Sequence, residues 1–521
     1  MSHRRLIIAA ATLLLLGNLA SRLLGLVRDQ VIAAFFSISA VTSAFGTANT
    51  VPQMFYDLLI GGAVSAALVP VLSDYVEPKD RDELGRIVST LLIGAVLVLG
   101  AVVVVLFLAA MPLTALLGAA AHPAYYALTL EFVRVVIPAI FFLGLSGVTS
   151  AVCYARHWYA YPAFSIALYN GGLIATVLLL HGRLGPNSLV FGLLAGAILQ
   201  LIGVVPGLRE IPIRLAFDPG HPAVRRIIRL YAPVAAGLIV TELGVIVDRN
   251  LANGIGASSV AIMGYATRLV QLPLGLVATA TSLAVLPILS QLIDDPPGFR
   301  HTLSVGLRLA LLAIIPATVF LVAFPGPLIH LLFQRGAFDA AATDVTAAAF
   351  LLYAPQLPFV AVDQLLVYAF YARRNTLTPM LVGLGGVGVY LASALTMIGP
   401  LHLGLHGLIL ANTLQNSLHA VVLFALLRRS IGSLEGNGVG TTLARACVAG
   451  LAGAGVAIAL RLAVPSPPGT LHLALYLLVG ASAVAATYVV ILYLFGVEEV
   501  VSIPRLVRAR LAARAPDQLA V

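Results

Sequence analysis

Apolar runs long enough to cross a membrane recur from one end of this chain to the other, separated by short polar or Gly/Pro-containing breaks. A hydrocarbon core of about 30 Å takes roughly twenty consecutive apolar residues in a helix, whereas a transmembrane barrel shows ten-residue alternating segments. The pattern restricts the chain to a bundle of membrane-spanning helices. Composition agrees: 60% of the 521 residues are hydrophobic, 10% are charged and the mean hydropathy is +1.03, against about 45–50% apolar and 25% charged in soluble domains. The apolar run after His3, Arg4 and Arg5 reads as the first span rather than a signal peptide, because no small-residue cleavage site closes it.

Hydropathy set against these breaks predicts about fourteen spans, at 6–36, 44–75, 86–118, 123–153, 159–181, 186–207, 223–254, 258–291, 301–333, 341–371, 377–398, 403–427, 442–463 and 470–495. An even number places both termini on one side, where cationic residues should collect. Arg4 and Arg5, EPKDRDELGR (77–86), Arg156, the stretch from Arg209 to Arg229, Arg300, Arg373, Arg374, Arg428, Arg429 and the tail from Arg505 to Arg514 all fall on one side. The opposite loops hold little more than Arg183, Arg335 and Arg461. Both termini are therefore expected in the cytoplasm. The net charge of +9, with Lys79 the single lysine, reads as topology and contact with anionic membrane lipids rather than nucleic-acid binding.

The longest polar connection, LREIPIRLAFDPGHPAVRR, joins the sixth and seventh spans and reads as a linker between halves. LGLVRD (24–29) resembles LGVIVD (243–248), and LVPVLSDY (68–75) resembles VLPILSQL (285–292) in the same order. The expected organisation is an N-lobe of spans 1–6 over 1–208, a cytoplasmic linker over 209–226, and a C-lobe of spans 7–12 over 227–430. Two additional spans at 431–496 and a basic tail at 497–521 follow. Two six-helix lobes in a parallel pseudo-twofold repeat are the transporter pattern, with a site near the midplane.

Ionisable residues at span depth cost at least about 2.5–3.5 kcal/mol on insertion scales, so they occur with a partner or a wet cavity. Those at Arg22, Arg28, Asp29, Asp57, Glu131, Arg134, Glu242, Asp248, Arg249, Arg268 and Asp363 are too many for accident. At 100° per residue, Arg22 and Asp29 fall within about 20° of one another, and Arg28 lies about 100° round from Asp29. The expected role of Arg22, Arg28 and Arg268 is a cationic lining contributed by both lobes. Arginine suits a diphosphate because its planar fork donates paired hydrogen bonds and stays charged when partly dehydrated. Glu131 and Arg134, three apart, are expected to neutralise one another. Glu242, Asp248 and Arg249 form a polar sector of the seventh span, with Asp248, the counterpart of Asp29, a candidate for a coupling cation. Asp363 and Asn412, within ANTLQNS (411–417), are further cavity candidates, set against ordinary interhelical hydrogen bonding. LFQRGAFD (332–339) reads as an extracytoplasmic corner whose glycine shapes a turn. Cys153 and Cys447 give no disulfide or CxxC signal, the histidines lack metal-ligand spacing, and no enzyme signature emerges.

The phrases SRLLGLVRD, SAFGTANTVPQMFYDLLIGGAVSAALVPVLSDY, YATRLVQLPLGLVATATSLAVLPILSQ, LFQRGAFD and FYARRNTLTP, in this order, resemble the MurJ (MviN) family of lipid II flippases within the multidrug/oligosaccharidyl-lipid/polysaccharide exporter superfamily. The resemblance implies fourteen helices in an all-α polytopic membrane protein: two six-helix lobes around a V-shaped cavity and two final helices forming a groove for a lipid tail. It implies transport of undecaprenyl-diphosphate-linked disaccharide pentapeptide across the bacterial cytoplasmic membrane by alternating access, without a cofactor other than a coupling cation, sodium or proton. Cell-wall synthesis machinery is a further implied partner, and a monomer is expected.

By motif position, the family's cavity arginines map to Arg22, Arg28 and Arg268, and Asp29 accompanies them. Where the family reads LPNLLRR, this chain reads VPQMFYD, so Tyr56 and Asp57 stand at two arginine positions. Ser43, Gly61 and Gln271 replace acidic residues, and VYLASALT (389–396) does not match the family's sodium-site pattern. The alternatives are a flippase for another polyprenyl-linked glycan, of O-antigen type, and a cation-coupled drug exporter, which predicts a more acidic cavity.

Overall fold

The computed structural model describes residues 3–59, 67–77, 80–214, 216–434 and 438–502. Side chains before Gly17, and at 18, 240, 276 and 278–284, are also outside the description. The described chain is helical, without a strand among these residues. Eleven described helical segments are long and apolar enough to cross a membrane. The other three expected spans, 6–36, 44–75 and 258–291, include residues or side chains outside the description. Two of them are nevertheless continuous helices of 34 and 33 residues, His3–Phe36 and Ser259–Gln291. The tail beyond 502 lies outside the described residues.

The chain divides into two compact units, residues 1–262 with 333–342, and 263–332 with 343–521. The first holds α1 (His3–Phe36), α2 (Ala40–Tyr56), α3 (Val69–Ser73), α4 (Arg81–Leu108), α5 (Ala110–Leu116), α6 (Pro123–Val136), α7 (Ala139–Ala155), α8 (Ala160–Leu184), α9 (Asn187–Val204) and α10 (Pro222–Ile255). α6 and α7 form one span broken at Pro138, and α8 packs along both α1 and α9. Small residues make that packing close: Gly172 faces Gly196 backbone, and Gly17 lies against Ala163, where any Cβ would collide. The core includes Phe132, Ile137, Leu173, Val177 and Leu193, all at 0–1% exposure. Ser39 caps α2, its hydroxyl accepting from Thr42 N at 3.3 Å.

The connection expected as a linker is folded onto the first unit. Arg81 donates through Nε and Nη2 to the Glu210 carbonyl at 2.9 and 2.6 Å. Ser89 and Thr90 hydroxyls accept from Arg214 N and Asp218 N at 3.0 and 3.2 Å. Ion pairs Arg86–Asp218, Arg214–Asp82 and Arg226–Asp74 surround these bonds. The polar composition that marks a linker in sequence also supplies the partners that hold it in place. LFQRGAFD likewise docks on the end of α1: Gly336 turns at φ +58, Ala337 N donates to the Ala34 carbonyl at 2.7 Å, and Arg335 reaches Gln30 at 3.2 Å.

The second unit holds most of α11 (Ser259–Gln291), then α12 (Pro296–Ala323), α13 (Pro325–Phe333, whose final residue belongs to the first unit), α14 (Ala340–Tyr353, which enters from the first unit at Thr343), α15 (Leu357–Ala372), α16 (Leu377–Ile398), α17 (Gly404–Ile431), α18 (Val439–Ala463) and α19 (Thr470–Leu494). α14 and α15 form one span. α18 and α19 pack on one another and on α12 through small residues: Gly450 faces Ile315, Gly453 faces Val484 and Gly480 faces Phe324. Close backbone approach through glycine is the usual device where lipid removes a hydrophobic driving force. Their outer faces expose Leu451, Leu462, Leu478 and Leu494, as lipid contact requires. Arg308 and Glu499 pair at 2.6 Å, attaching the segment after α19 to α12.

A further repeat appears in the backbone. The α7–α8 corner reads YARHW and the α15–α16 corner YARRN, with the same chain separation as LVPVLSDY and VLPILSQL. His157 and Arg374 adopt left-handed φ values of +61° and +59°. Trp158 N bonds the Cys153 carbonyl at 2.8 Å, and Asn375 N bonds the Phe370 carbonyl at 3.0 Å, closing the same helix-end motif.

Candidate functional site

In the first unit, the charged sector of α1 meets a single amide of α8. Arg28 donates through Nε and Nη2 to Asp29 Oδ1 at 3.0 and 2.8 Å, and through Nη1 to Asn170 Oδ1 at 3.0 Å. Asn170 is 4% exposed and uses Nδ2 on the Ser21 and Ile166 carbonyls at 3.3 and 3.2 Å, which fixes the direction of its oxygen. The Arg28 and Asp29 side chains are 18% and 12% exposed. A carboxylate and an oriented amide thus hold a guanidinium in one pose. Arg22 lies nearly two turns earlier on α1 and is exposed. The one-face reading of Arg22 and Asp29 is resolved by depth: the carboxylate is buried beneath Arg28, and Arg22 stays open.

A second polar group lies where α2 meets α10. Gln53 Nε2 donates to both Asp57 oxygens at 3.1 and 3.2 Å, and Tyr56 lies beside Gln200 of α9. Glu242, half-buried on α10, lies within electrostatic range of Asp57. Tyr231 donates to the Leu58 carbonyl at 3.0 Å. One helical turn and more beyond Glu242, Asp248 and Arg249 approach to 3.8 Å, and Arg249 Nε donates to Thr50 Oγ1 at 3.2 Å. The far end of α10 is fixed by Asn253, fully buried. Its Oδ1 accepts from Tyr125 Oη at 2.7 Å, and its Nδ2 donates to Thr47 Oγ1 and the Leu117 carbonyl at 3.1 and 2.7 Å. Glu131 does not pair with Arg134 as expected; it accepts from Asn187 Nδ2 at 2.8 Å, across from α6 to α9. Both ends of the expected pair are exposed, where holding two long side chains together gains little.

In the second unit, Arg268 and Gln271 are exposed and lie nearly one turn apart on α11. Asp363 of α15 meets His419 of α17, with Oδ1 to Nδ1 at 2.8 Å. Asn416 Nδ2 donates to Gln356 Oε1 at 2.5 Å and to Asn412 Oδ1 at 3.1 Å. Asn170, Gln200 and His419 carry no sequence expectation. The partner of each sits on another helix, beyond the reach of spacing.

Asp29, Asp57, Glu242 and Asp248 place carboxylates along the first unit, Arg28 and Arg249 place cations among them, and none of this resembles a nucleophile–base pair. It is a polar lining inside membrane helices, suited to binding and release of a charged group. The model of the lipid II flippase MurJ family matches residues 32–480. A lipid II flippase MurJ from Burkholderia cenocepacia is 29% identical over 430 residues, covering 79% of this chain and 82% of that protein. A probable lipid II flippase MurJ from Bdellovibrio bacteriovorus is 28% identical over 96% of this chain and 97% of its own length. Among solved structures, a lipid II flippase MurJ in an inward closed conformation superposes with TM-score 0.77 at 21% identity, over 92% of this chain and 99% of that one. An inward-facing multidrug resistance MATE family transporter of the MOP superfamily follows with TM-score 0.70 at 14% identity, over 80% and 95%. The fold is thus shared with a MATE family transporter as well as with a MurJ, while the family match begins within α1, just after Arg28 and Asp29, and runs on to residue 480: the chain belongs to the lipid II flippase MurJ family.

Proposed function

We propose that the chain moves lipid II, the undecaprenyl-diphosphate-linked peptidoglycan precursor, from the inner to the outer leaflet of the bacterial cytoplasmic membrane by alternating access. The match of the family model over residues 32–480 carries this reading. Arg28 is its main diphosphate contact, because Asp29 and Asn170 fix the guanidinium before any ligand arrives; Arg22, exposed on the same helix, supplies further positive charge. The exposed apolar faces of α18 and α19 take the polyprenyl chain. The two lobes expected from the repeat are the moving parts, and both termini stay in the cytoplasm. An inside-negative potential assists outward movement of an anionic head group by about 2.3 kcal/mol per charge per 100 mV. A coupling cation, sodium or proton, resets the carrier, and the protein works as a monomer beside the cell-wall synthesis machinery. Expression in a bacterium depleted of its own lipid II flippase restores growth and shape under this reading. Lysis despite correctly inserted protein would refute it.

A second reading has a specific observation behind it. Tyr56 and Asp57 occupy positions where the family motif has arginines, and Gln53 holds the Asp57 carboxylate. A site with less cationic charge there fits a different lipid-linked glycan. Binding of purified protein to lipid II and to an O-antigen-type lipid-linked sugar, compared side by side, separates the two by which one binds more tightly.

A further inference from the structure

Among the polar groups of the second unit, the pairing of Asp363 with His419 has no role in the diphosphate contacts described above. His419 lies near the middle of α17 and Asp363 within α15, so both sit well inside spans. Nδ1 is 2.8 Å from Asp363 Oδ1, and the two side chains are 19% and 21% exposed. The pair is enclosed without being sealed. On the opposite edge of the ring, Nε2 faces α16 at Gly383, and Gly386 borders Cδ2, so glycine leaves room beside the imidazole. Gly385 and Gly388 on the same helix have open space where a side chain would stand. The Pro379 carbonyl also bears on the ring. An imidazole between a carboxylate and a carbonyl can donate to only one of them when neutral, and to both when protonated.

The surrounding elements leave this pair electrostatically isolated. On α15, Tyr368 and Tyr371 pack on each other with ring centroids 6.2 Å apart. Beyond that helix, Arg373 donates to Ser430 at 2.7 Å. On α16 the titratable residue is Tyr390, buried. On α17, His406 lies in the first turn and Arg428 and Arg429 in the last. On α12, Arg300 reaches the Ile431 carbonyl, Arg308 pairs with Glu499, and His301 lies beside Arg300 in the opening turns. Asp363 is the charged group that bears on His419 among the described residues.

We propose that Asp363 and His419 form a proton-binding site, filled in one phase of the transport cycle and emptied in another. The inference rests on the transport reading above and names the coupling cation as a proton. With neutral imidazole the pair carries one negative charge at span depth. Proton uptake at Nε2, with Nδ1–H retained toward Asp363, gives a neutral ion pair. Histidine is the side chain whose ordinary titration lies in the range where such a change is readily driven. The unprotonated pair needs water beside it and the protonated pair does not, so proton uptake favours a drier packing of the α15–α16–α17 seam.

The test begins with the full chain labelled at the histidine ring carbons. The His419 resonance, identified by its loss in His419→Gln, shifts over roughly pH 5 to 8 and changes position in Asp363→Asn. A resonance that stays fixed across that range overturns the site. Should His419→Gln fail to fold, the shifts in Asp363→Asn and Asp363→Glu make the assignment. The second arm uses proteoliposomes with fluorescent lipid II and a clamped potential. An imposed pH gradient changes the wild-type rate several-fold and leaves Asp363→Asn unresponsive. A wild-type rate indifferent to the gradient, or a variant that keeps the response, overturns the coupling. Wild-type protein that titrates at His419 but moves no lipid II refutes the substrate and supports the site.

Discussion

The corner between α7 and α8 and the corner between α15 and α16 share a backbone and differ in their attachments. Both run Tyr-Ala-Arg into a left-handed residue and close on a carbonyl five residues back. In the first unit, Arg156 lies over the Trp158 ring at 3.9 Å and pairs with Glu210 at 2.5 Å, which ties the corner to the connection before α10. In the second, Arg373 ends on the Ser430 hydroxyl near the close of α17. A duplicated sequence retains the geometry that neighbouring residues dictate, because those hydrogen bonds are local. Attachments to distant residues are free to diverge.

The largest expected break in this comparison comes from Arg28→Ala. Losing a charge-assisted contact of about 2–3 kcal/mol lowers lipid II flipping in proteoliposomes roughly a hundredfold, with Arg28→Lys partly active because it keeps charge without the fork. Next, Asn253→Ala removes the buried partner of the Leu117 carbonyl and of the Tyr125 and Thr47 hydroxyls, which keep only their mutual bond at 3.1 Å. It lowers stability by about 1–3 kcal/mol, read as an earlier thermal transition of the detergent-purified protein. Arg156→Ala removes a cation–π contact and an ion pair to a largely exposed carboxylate, worth about 1 kcal/mol together. Arg373→Ala should cost less than about 0.5 kcal/mol. Equal losses in parallel melts would show that the two corners carry equal load. The smallest effect is glycine at the left-handed positions. His157→Gly and Arg374→Gly each relieve backbone strain, partly offset by unfolded-state entropy, and raise stability by about 0.5 kcal/mol. Opposite signs at the two sites would break their equivalence.

Much of the helical architecture was legible in the sequence because lipid imposes a length and a polarity on every span. The arginines and carboxylates were legible for a related reason, since charges at that depth are too expensive to be incidental. Their partners were not. Asn170 orients Arg28 from a helix more than a hundred positions away, and His419 finds Asp363 across a similar gap in pattern if not in distance; neither carries a charge signal of its own. The connection at 209–226 was visible as polar but not as docked, because Ser89, Thr90 and Arg81 gain meaning only when the chain folds back on them. Tyr-Ala-Arg shows the opposite limit: three residues specify a corner, yet their repetition stands out only once the left-handed residue after each is known.

α10 runs for 34 residues, about 50 Å at 1.5 Å per residue, which exceeds a hydrocarbon core of about 30 Å. Its start is held through Arg226–Asp74 and His221–Glu83, and its end through Asn253. Between those fixings it contains Pro233, which leaves a gap in the backbone ladder, and the half-buried Glu242 and Asp248. In mechanical terms it is a beam clamped at both ends with a notch in its length. A push on its middle cannot slide it along its axis without tearing out one clamp; it must bow, and the notch decides where.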